Sequence, residues 1–541
     1  MKRAHHSGCA KQNPRTRKPE NRVVLRDALS TPTFRLHEDS VMKDRPKKRE
    51  SCRLPARLAC RKNVALLFCA VFVFSTAWAT GHATPSSAPD PAYRIEVTIA
   101  DFSDSLLYLG YPYGDKKYIQ DTARNGKGET FVFEGDEPLT GGLYFIYSPK
   151  NIYFDIVVAE PRFSLQTDTL DLIGNLKVSG SAENELFFRF QHFMRDRQKA
   201  ARELSEQLKR LEGQPGAEEI RKELERMDKE VKAMREELIT QNSELFAAKF
   251  IRSTMDIEVP DPPRDADGNE IDPNFRYHYY KAHYFDNFDF SDERILRTPN
   301  FHDRMTNYLE KFTVKHPDSI IRSAHVIIDK SRANREVFRY SLVTITNQYE
   351  TSNIMGMDAV FVDLAESYYL KGDAWWADSS LIAKIDKRVS ELKPNLIGNR
   401  APSLQLVDTL MRPFSLQAIK SDFTVLYFYD PDCGHCKKKT PELLRLYDEK
   451  LKPQGVEVIA VCTDTDADKW KKYVRENGIY VLNGADPQYK SNFRFEYNIN
   501  TTPKIYIVDA NKRIIAKNLD VEQIEEFISH QINLRKNQKA G

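Results

Sequence analysis

The stretch Thr424-Val425-Leu426-Tyr427-Phe428-Tyr429-Asp430-Pro431-Asp432-Cys433-Gly434-His435-Cys436 decides the fold of the C-terminal part of this chain. Its first six residues are β-branched, aliphatic or aromatic and of strand length. Asp430-Pro431-Asp432 breaks the run, and Lys437 to Lys450 reads as a helix carrying Leu443, Leu444, Leu446 and Tyr447. Two cysteines three apart at a strand-to-helix junction set the first sulphur against unpaired amide N–H groups and the positive end of the helix dipole. Both stabilise a thiolate and lower the cysteine pKa from its free value of about 8.5; a charged His435 between the cysteines lowers it further. The chemistry indicated is disulfide exchange.

Residue types weigh against the competing uses of a C-x-x-C pair. Covalent haem needs a histidine directly after the second cysteine, where this chain has Lys437. A structural zinc site needs about four ligands. Beyond the pair, this part of the chain offers Cys462 and His530 as the usual soft or imidazole donors. A peroxidatic cysteine would want a threonine three residues before it, and Asp430 stands there. No metal is expected, and disulfide exchange requires no diffusible cofactor.

The elements that follow fit one order. Val456 to Val461 is a buried-type strand, Asp466 to Asn477 a helix, Lys504 to Val508 a strand, and Arg513 to Ala516 its hairpin partner; a last helix begins near Val521. With Pro441 five residues after Cys436, and Thr502-Pro503 just before the Lys504 strand, the segment from about Asn395 to Leu534 resembles a thioredoxin-like domain. The resemblance implies that Pro441 kinks the active-site helix. It also implies that Thr502-Pro503 is a cis-proline loop facing the cysteines and pairing with substrate backbone, with Gly434 beside it. Leu396-Ile397-Gly398-Asn399-Arg400-Ala401-Pro402, with Leu404 and Leu406, is similar to the lead-in of exported thiol-disulfide oxidoreductases of the TlpA and ResA type. Two positions depart from the family. Tyr427 stands six residues before Cys433, where thioredoxin has a buried acid, so proton transfer must use another group or water. Asp432 replaces the common tryptophan and puts a negative charge beside the nucleophile, which opposes thiolate formation. The Gly-His pair resembles that of protein disulfide isomerase, near about −180 mV against about −270 mV for thioredoxin, whereas the wider resemblance is to reductases. The direction of exchange stays open.

The other end of the chain addresses location. Val64 to Phe74 is an apolar run after Arg61-Lys62, and Ala77-Trp78-Ala79 or Gly81-His82-Ala83 supplies small residues for cleavage, the pattern of a secretory signal. The run falls short of the roughly 20 residues a membrane span needs, so membrane attachment would come only through an uncleaved signal anchor. The first 62 residues hold 18 Lys+Arg against 6 Asp+Glu, leaving 63 against 72 in the rest. The mature protein is therefore acidic despite the nominal +3 of the 541-residue chain, and nucleic acid is not an expected partner. The basic leader reads as an over-extended translation start, with Met42 a candidate for the true one. Four of seven cysteines, Cys9, Cys52, Cys60 and Cys69, fall in the leader or signal. Only Cys433, Cys436 and Cys462 remain, too few for a disulfide scaffold; Cys462 ends an apolar strand and reads as core filler.

Composition divides the intervening residues. Tyr93 to Ser179 alternates in short runs punctuated by Asn125-Gly126, Gly135-Asp136 and Gly141-Gly142, which predicts a small β-sandwich. Its close, Leu176 to Asn184, resembles the end of a β domain found ahead of thioredoxin-like domains in envelope proteins. Glu185 to Ala247 is charged, with apolar or small residues at Phe187, Phe190, Met194, Ala201, Leu204, Leu208 and Leu211. A second series runs through Ile220, Leu224, Met227, Val231, Met234 and Leu238, and Gly213-Gln214-Pro215-Gly216 lies between the two. This predicts a coiled-coil-like antiparallel hairpin that serves as a spacer, or as an arm through which the protein would oligomerise. Asp265 to Glu270 reads as a surface turn, since its glycine sits wrongly for a calcium loop. Phe275 to Lys393 is mainly helical and aromatic. His278 and His283 are expected in aromatic packing between helices, and Tyr368, Tyr369, Trp375 and Trp376 are expected against the redox domain.

The expectation is a multidomain α+β and α/β protein. It has a basic extension (1–63), a signal (64–83), a β-sandwich (90–182), a helical hairpin (183–252), a helical domain (255–393) and a thioredoxin-like domain (394–535) with a central mixed sheet flanked by helices. Cys433 attacks, Cys436 resolves and His435 tunes, while Gly434, Thr502 and Pro503 receive substrate. The partners are protein thiols and disulfides and an upstream redox protein in the periplasm or cell envelope. The alternative is an envelope scaffold in which the redox domain is regulatory.

Overall fold

The computed structural model describes residues 90–125, 129–211 and 213–540. The basic leader with Met42, the signal segment, and Cys9, Cys52, Cys60 and Cys69 lie outside the described residues. The chain forms two compact units, one of residues up to 288 with 294–300, the other of 289–293 with 301 onward.

In the first unit, alternation of apolar and polar residues buries every second side chain of strands such as Tyr93–Ala100 and Arg162–Asp168. The strands are β1 (Tyr93–Ala100), β2 (Leu106–Tyr113), β3 (Lys116–Arg124), β4 (Thr130–Gly135), β5 (Gly142–Ser148), β6 (Ile152–Val158), β7 (Arg162–Asp168) and β8 (Lys177–Ser179). They form two four-stranded sheets, ordered β4-β1-β7-β8 and β3-β2-β5-β6. Ile95, Val97 and Ile99 of the first sheet share one core with Leu107, Leu109, Ile146 and Ile156 of the second.

The segment that closes this β unit ties it to the helices. Ser181 caps helix Ala182–Arg210, its hydroxyl accepting from the Asn184 N–H at 3.0 Å. The Asn184 amide accepts from the Val157 N–H (2.8 Å) and donates to the Val157 carbonyl (2.6 Å), extending the β6 ladder sideways. The buried Glu183 carboxylate accepts from Phe246 and Ala247 N–H groups at 2.8 and 2.7 Å, at the start of helix Phe246–Ser253. The hairpin of Ala182–Arg210 and Ala217–Gln241 buries its seam against itself and the sheets. Phe187, Phe190, Met194, Val231 and Leu238 join the sandwich core, and Ala201, Leu204, Leu208, Ile220, Leu224 and Met227 form a separate cluster further out.

Asp265 to Glu270 is a surface turn in which the Asp265 carboxylate accepts from the Asp267 and Asn269 N–H groups. His278 and His283 correct the expectation of interhelical packing. Helix Phe275–His283 buries none of its residues, and each imidazole is bonded to a nearby carboxylate, Asp272 at 2.8 Å and Asp286 at 2.6 Å.

In the second unit, helices Pro317–Ser331, Arg335–Glu350, Asp358–Leu364 with its π-helical extension Ala365–Tyr369, and Ser379–Leu392 precede a seven-stranded sheet. Its order is β10-β9-β13-β12-β11-β14-β15, with β9 Gln405–Val407, β10 Pro413–Ser415, β11 Phe423–Tyr429, β12 Val456–Cys462, β13 Leu482–Ala485, β14 Lys504–Asp509 and β15 Ile514–Lys517. β11 runs parallel to β12 and antiparallel to β14, so the sheet is mixed. Every residue of β11 is buried, as a central strand covered on both faces requires. Val425, Tyr427 and Tyr429 face one core with Cys436 and Trp470, while Leu426 and Phe428 face the other with Tyr497 and Tyr506.

The aromatic residues near position 370 pack within the helices, which corrects their expected place against the redox domain. The Tyr368 hydroxyl bonds His325 Nδ1 at 2.6 Å, Trp376 meets Phe338 and Tyr369 edge-on, and Trp375 lies under Arg335. The polar link from the helices to the sheet is Lys517. Its buried ammonium bonds the Asp358 carboxylate and the Asn395 carbonyl, the latter at 2.9 Å.

Candidate functional site

The register of β11 brings the site together. Tyr429 pairs with Cys462 on one side and Phe428 with Lys504 on the other. The loop leaving β11 therefore meets the loop leaving β12 and the residues entering β14. Cys433 to Cys436, Asp464 and Thr502-Pro503 converge there although they are far apart in sequence.

Helix Gly434–Leu446 begins directly after Cys433, earlier than the Lys437 start that its apolar residues suggest. The reason is that Cys433 is itself the N-cap. Its sulphur accepts from the Cys436 backbone N–H at 3.2 Å, supplying a partner for one of the orphan donors of the first turn. As a thiol it donates to the Thr502 carbonyl, also at 3.2 Å, and the Thr502–Pro503 peptide is cis. Cys433 is partly exposed, Gly434 and His435 are exposed, and Cys436 is fully buried one turn in. Both cysteines are free thiols. Pro441 lies inside the helix and cannot donate to the carbonyl four residues before it.

These surroundings split the two thiols. Burial opposes ionisation of Cys433. Hydrogen bonds from the Cys436 thiol, from the Thr502 side chain, and from the backbone N–H groups of Cys436 and His435 outweigh it, so the Cys433 pKa falls below the ordinary thiol value. Burial, then the bond to Cys433, pushes the Cys436 pKa well up. The Cys433 thiol therefore ionises at a lower pH than the buried Cys436 thiol one turn away. Tyr427, in the position six before Cys433, is buried, with its hydroxyl 3.1 Å from Thr440 Oγ1. Thr440 in turn donates to the Cys436 carbonyl at 2.8 Å. Burial raises the Tyr427 pKa, so the group stays a neutral hydroxyl at physiological pH.

Cys462 is buried at the end of β12, and His530 is exposed on the last helix. Among the described residues, the one group of three His, Cys, Asp or Glu side chains close enough to share an ion is Asp430, Asp432 and Asp464. Neither Cys433 nor Cys436 belongs to it. Sequence reasoning missed Asp464 and Lys469; they lie just beyond the carboxyl end of β12, the edge where open α/β sheets build their sites, a signal readable only once β12 is known to lie parallel beside β11.

Residues 397–517 match the model of the AhpC/TSA family. The C-terminal domain is a thioredoxin-like oxidoreductase domain. Two further models match outside the thioredoxin-like domain, each described as a domain of unknown function: DUF4369 at residues 93–187 and DUF5106 at 267–392. A curated relative, "Probable nucleoredoxin 1" of Arabidopsis thaliana, is 25% identical over 93 residues, which is 17% of this chain and 16% of that protein's length. A solved thioredoxin-like protein from Bacteroides caccae is 18% identical, over 50% of this chain and 98% of that one, with a TM-score of 0.40. A domain of a possible thiol-disulfide isomerase from Cytophaga hutchinsonii is 31% identical over 27% of this chain and 97% of that one (TM-score 0.25). A thiol:disulfide interchange protein from Bacteroides sp. is 27% identical over 26% and 92% (TM-score 0.24). Among the described residues, no helix is long and apolar enough to cross a membrane.

Proposed function

We propose that the protein is a cell-envelope thiol-disulfide oxidoreductase that exchanges disulfides with protein substrates through Cys433 and Cys436. The observation that carries this is the Cys433 sulphur itself, partly exposed at a helix N-terminus with a buried thiol one turn away. In the reducing direction, the Cys433 thiolate attacks one sulphur of a substrate disulfide. A mixed disulfide forms, and the other substrate sulphur leaves as a thiolate that takes a proton from water. Cys436 loses its proton and attacks the Cys433 sulphur, which expels the second substrate thiolate. The substrate gains two electrons and the domain keeps a Cys433–Cys436 disulfide, to be reduced by an upstream dithiol protein. Run with a substrate dithiol and an oxidised site, the same steps oxidise the substrate, and the Gly434-His435 pair favours isomerase-like exchange. His435 adds positive charge when protonated, and Thr502 and Pro503 shape the groove that receives substrate backbone.

Export is supported by the Val64–Phe74 run with its flanking basic and small residues. The test is Cys436→Ser in cells, with mixed disulfides trapped and identified, beside an insulin-reduction assay of the wild type. Partners linked through Cys433 and measurable exchange are expected; no linked partner together with no exchange would sink the proposal.

A further inference from the structure

We propose that Lys469 is the counter-ion of the nucleophile's loop, a positioning residue that ties the Asp432 carboxylate to Asp464 and so lets Cys433 ionise. The inference rests on the function proposed above. It accounts for a residue that otherwise works against that function, since Asp432 stands beside Cys433 where the family commonly has tryptophan.

Carboxylate oxygens of Asp430, Asp432 and Asp464 lie within 4.8 Å of one another. Like charges at this range disfavour each other's ionised form, and a thiolate on Cys433, the residue after Asp432, would add a fourth negative charge. The Lys469 ammonium meets two of the three, with Nζ 2.5 Å from Asp432 Oδ2 and 2.5 Å from Asp464 Oδ2. The third is held differently: Asp430 accepts from the Asp432 N–H at 2.8 Å and from the Thr463 hydroxyl at 3.4 Å. Lys469 is thus the cation that touches the acid adjoining the nucleophile.

Its place on the helix is the second observation. Helix Ala467–Glu476 starts at Asp466, whose carboxylate accepts from the Asp468 and Lys469 N–H groups at 3.0 Å each. Lys469 therefore sits in the first turn, the end of a helix where a cation is disfavoured by the dipole. The neighbouring Trp470 is fully buried and donates to Asn483 at 2.6 Å, which fixes the rotation of the helix and aims Lys469 at the cysteine loop. A lysine held against local preference by two carboxylates is better explained by the loop it neutralises than by the helix it belongs to.

The other titratable groups around the Cys433 sulphur are Cys436 and His435 on its own helix, Tyr427 on β11 and Tyr473 on the Lys469 helix. Removing the Lys469 charge leaves Asp432 uncompensated, so ionisation of Cys433 should need a higher pH. Removing Asp432 as well should cancel most of that change.

The experiment is the pH profile of Cys433 alkylation by iodoacetamide, read by mass spectrometry on the full reduced chain. Wild type, Lys469→Gln, Lys469→Arg, Asp432→Asn and the Asp432→Asn/Lys469→Gln double variant are compared. Lys469→Gln is expected to move the midpoint up and slow alkylation at pH 6 by about threefold or more, a shift of the size a single nearby charge produces. Lys469→Arg should keep the wild-type profile, and the double variant should recover most of the rate. An unmoved midpoint in Lys469→Gln, or the same upward shift persisting in the Asp432→Asn background, overturns the assignment. Alkylation needs no protein substrate. An inactive wild type in the insulin assay therefore counts against the proposed function, whereas an active wild type with an unmoved Lys469→Gln midpoint counts against Lys469.

Discussion

The Cys433 sulphur lies 3.2 Å from the Cys436 backbone N–H and 3.2 Å from the Thr502 carbonyl oxygen, two partners that prefer opposite protonation states. The carbonyl can only accept, so it favours the thiol; the N–H can only donate, so it favours the thiolate. Substrate binding that engages the Thr502 carbonyl would remove the partner of the thiol form and leave the one that stabilises the nucleophile.

The first prediction concerns the thiols alone. Because the Cys433 pKa is lowered and those of Cys436 and Cys462 are raised by burial, the thiolate fraction of Cys433 rises at a lower pH than that of the other two. In the reduced protein at pH 7, iodoacetamide should label Cys433 first, with Cys436 and Cys462 protected until pH is raised or the chain unfolds. Equal labelling of all three in the folded protein would contradict the site geometry.

A second prediction follows from Tyr427. It fills the place of a buried acid with a neutral hydroxyl bonded to Thr440, so it can hold a proton but not readily accept one at neutral pH. Tyr427→Phe should cost about 1 kcal/mol of stability, the usual worth of one lost hydrogen bond. It should leave the pH dependence of disulfide exchange in place. A shift of the pH–rate profile in this variant would mean that the hydroxyl carries the Cys436 proton.

Much of this was legible in the sequence where chemistry and pattern coincide. Thr424 to Tyr429 reads as a strand and Asp430-Pro431-Asp432 breaks it, which puts Cys433 at a strand-to-helix junction; that Cys433 itself caps the helix was hidden, because the apolar residues begin the helical pattern only after Lys437. The short strands β9, β10 and β13 escaped notice. Three or four residues are too few to display a period, and their partners are set by tertiary pairing. Gly484 illustrates this: a Cβ there would come within 2.6 Å of the Phe414 ring and 2.9 Å of Leu406 Cβ, a constraint that exists only once β9, β10 and β13 are side by side. The Lys469 contacts were hidden for the same reason, since they depend on which strand neighbours β11. His278 and His283 misled because an aromatic-rich run suggested burial, while the acids nearby, Asp272 and Asp286, were the true partners.

His325 supports a prediction of pH dependence. Its Nε2 bonds Asp363 at 2.7 Å and its Nδ1 the Tyr368 hydroxyl at 2.6 Å. The Asp363 bond, working against burial, raises its pKa above the ordinary histidine value of 6.5. A raised folded-state pKa contributes stability that is fully present below the unfolded value of about 6.5 and is lost as pH rises through the folded value. Urea midpoints should therefore fall between pH 6 and pH 8.5, and Asp363→Asn should flatten that dependence. A variant with the same slope as wild type would remove His325 as its source.

The last prediction concerns Lys517, whose ammonium is 3% exposed and bonds Asp358, the Asn395 carbonyl at 2.9 Å and Asn395 Oδ1 at 3.1 Å. Burial lowers its pKa and Asp358 acts in the opposite sense, so the charge survives in the interior through its partner. Asp358→Asn deletes the negative charge while leaving the lysine in place. An uncompensated buried cation of this kind costs about 3 kcal/mol or more. Replacing both residues, as Asp358→Asn with Lys517→Met, removes the uncompensated charge and should recover most of that loss. The two variants form a cycle with Lys517→Met alone, read from urea unfolding. Strong coupling would identify this pair as the polar latch by which the helices hold β15. Additive effects would leave apolar packing to hold that contact, with the ion pair contributing no more than an exposed one.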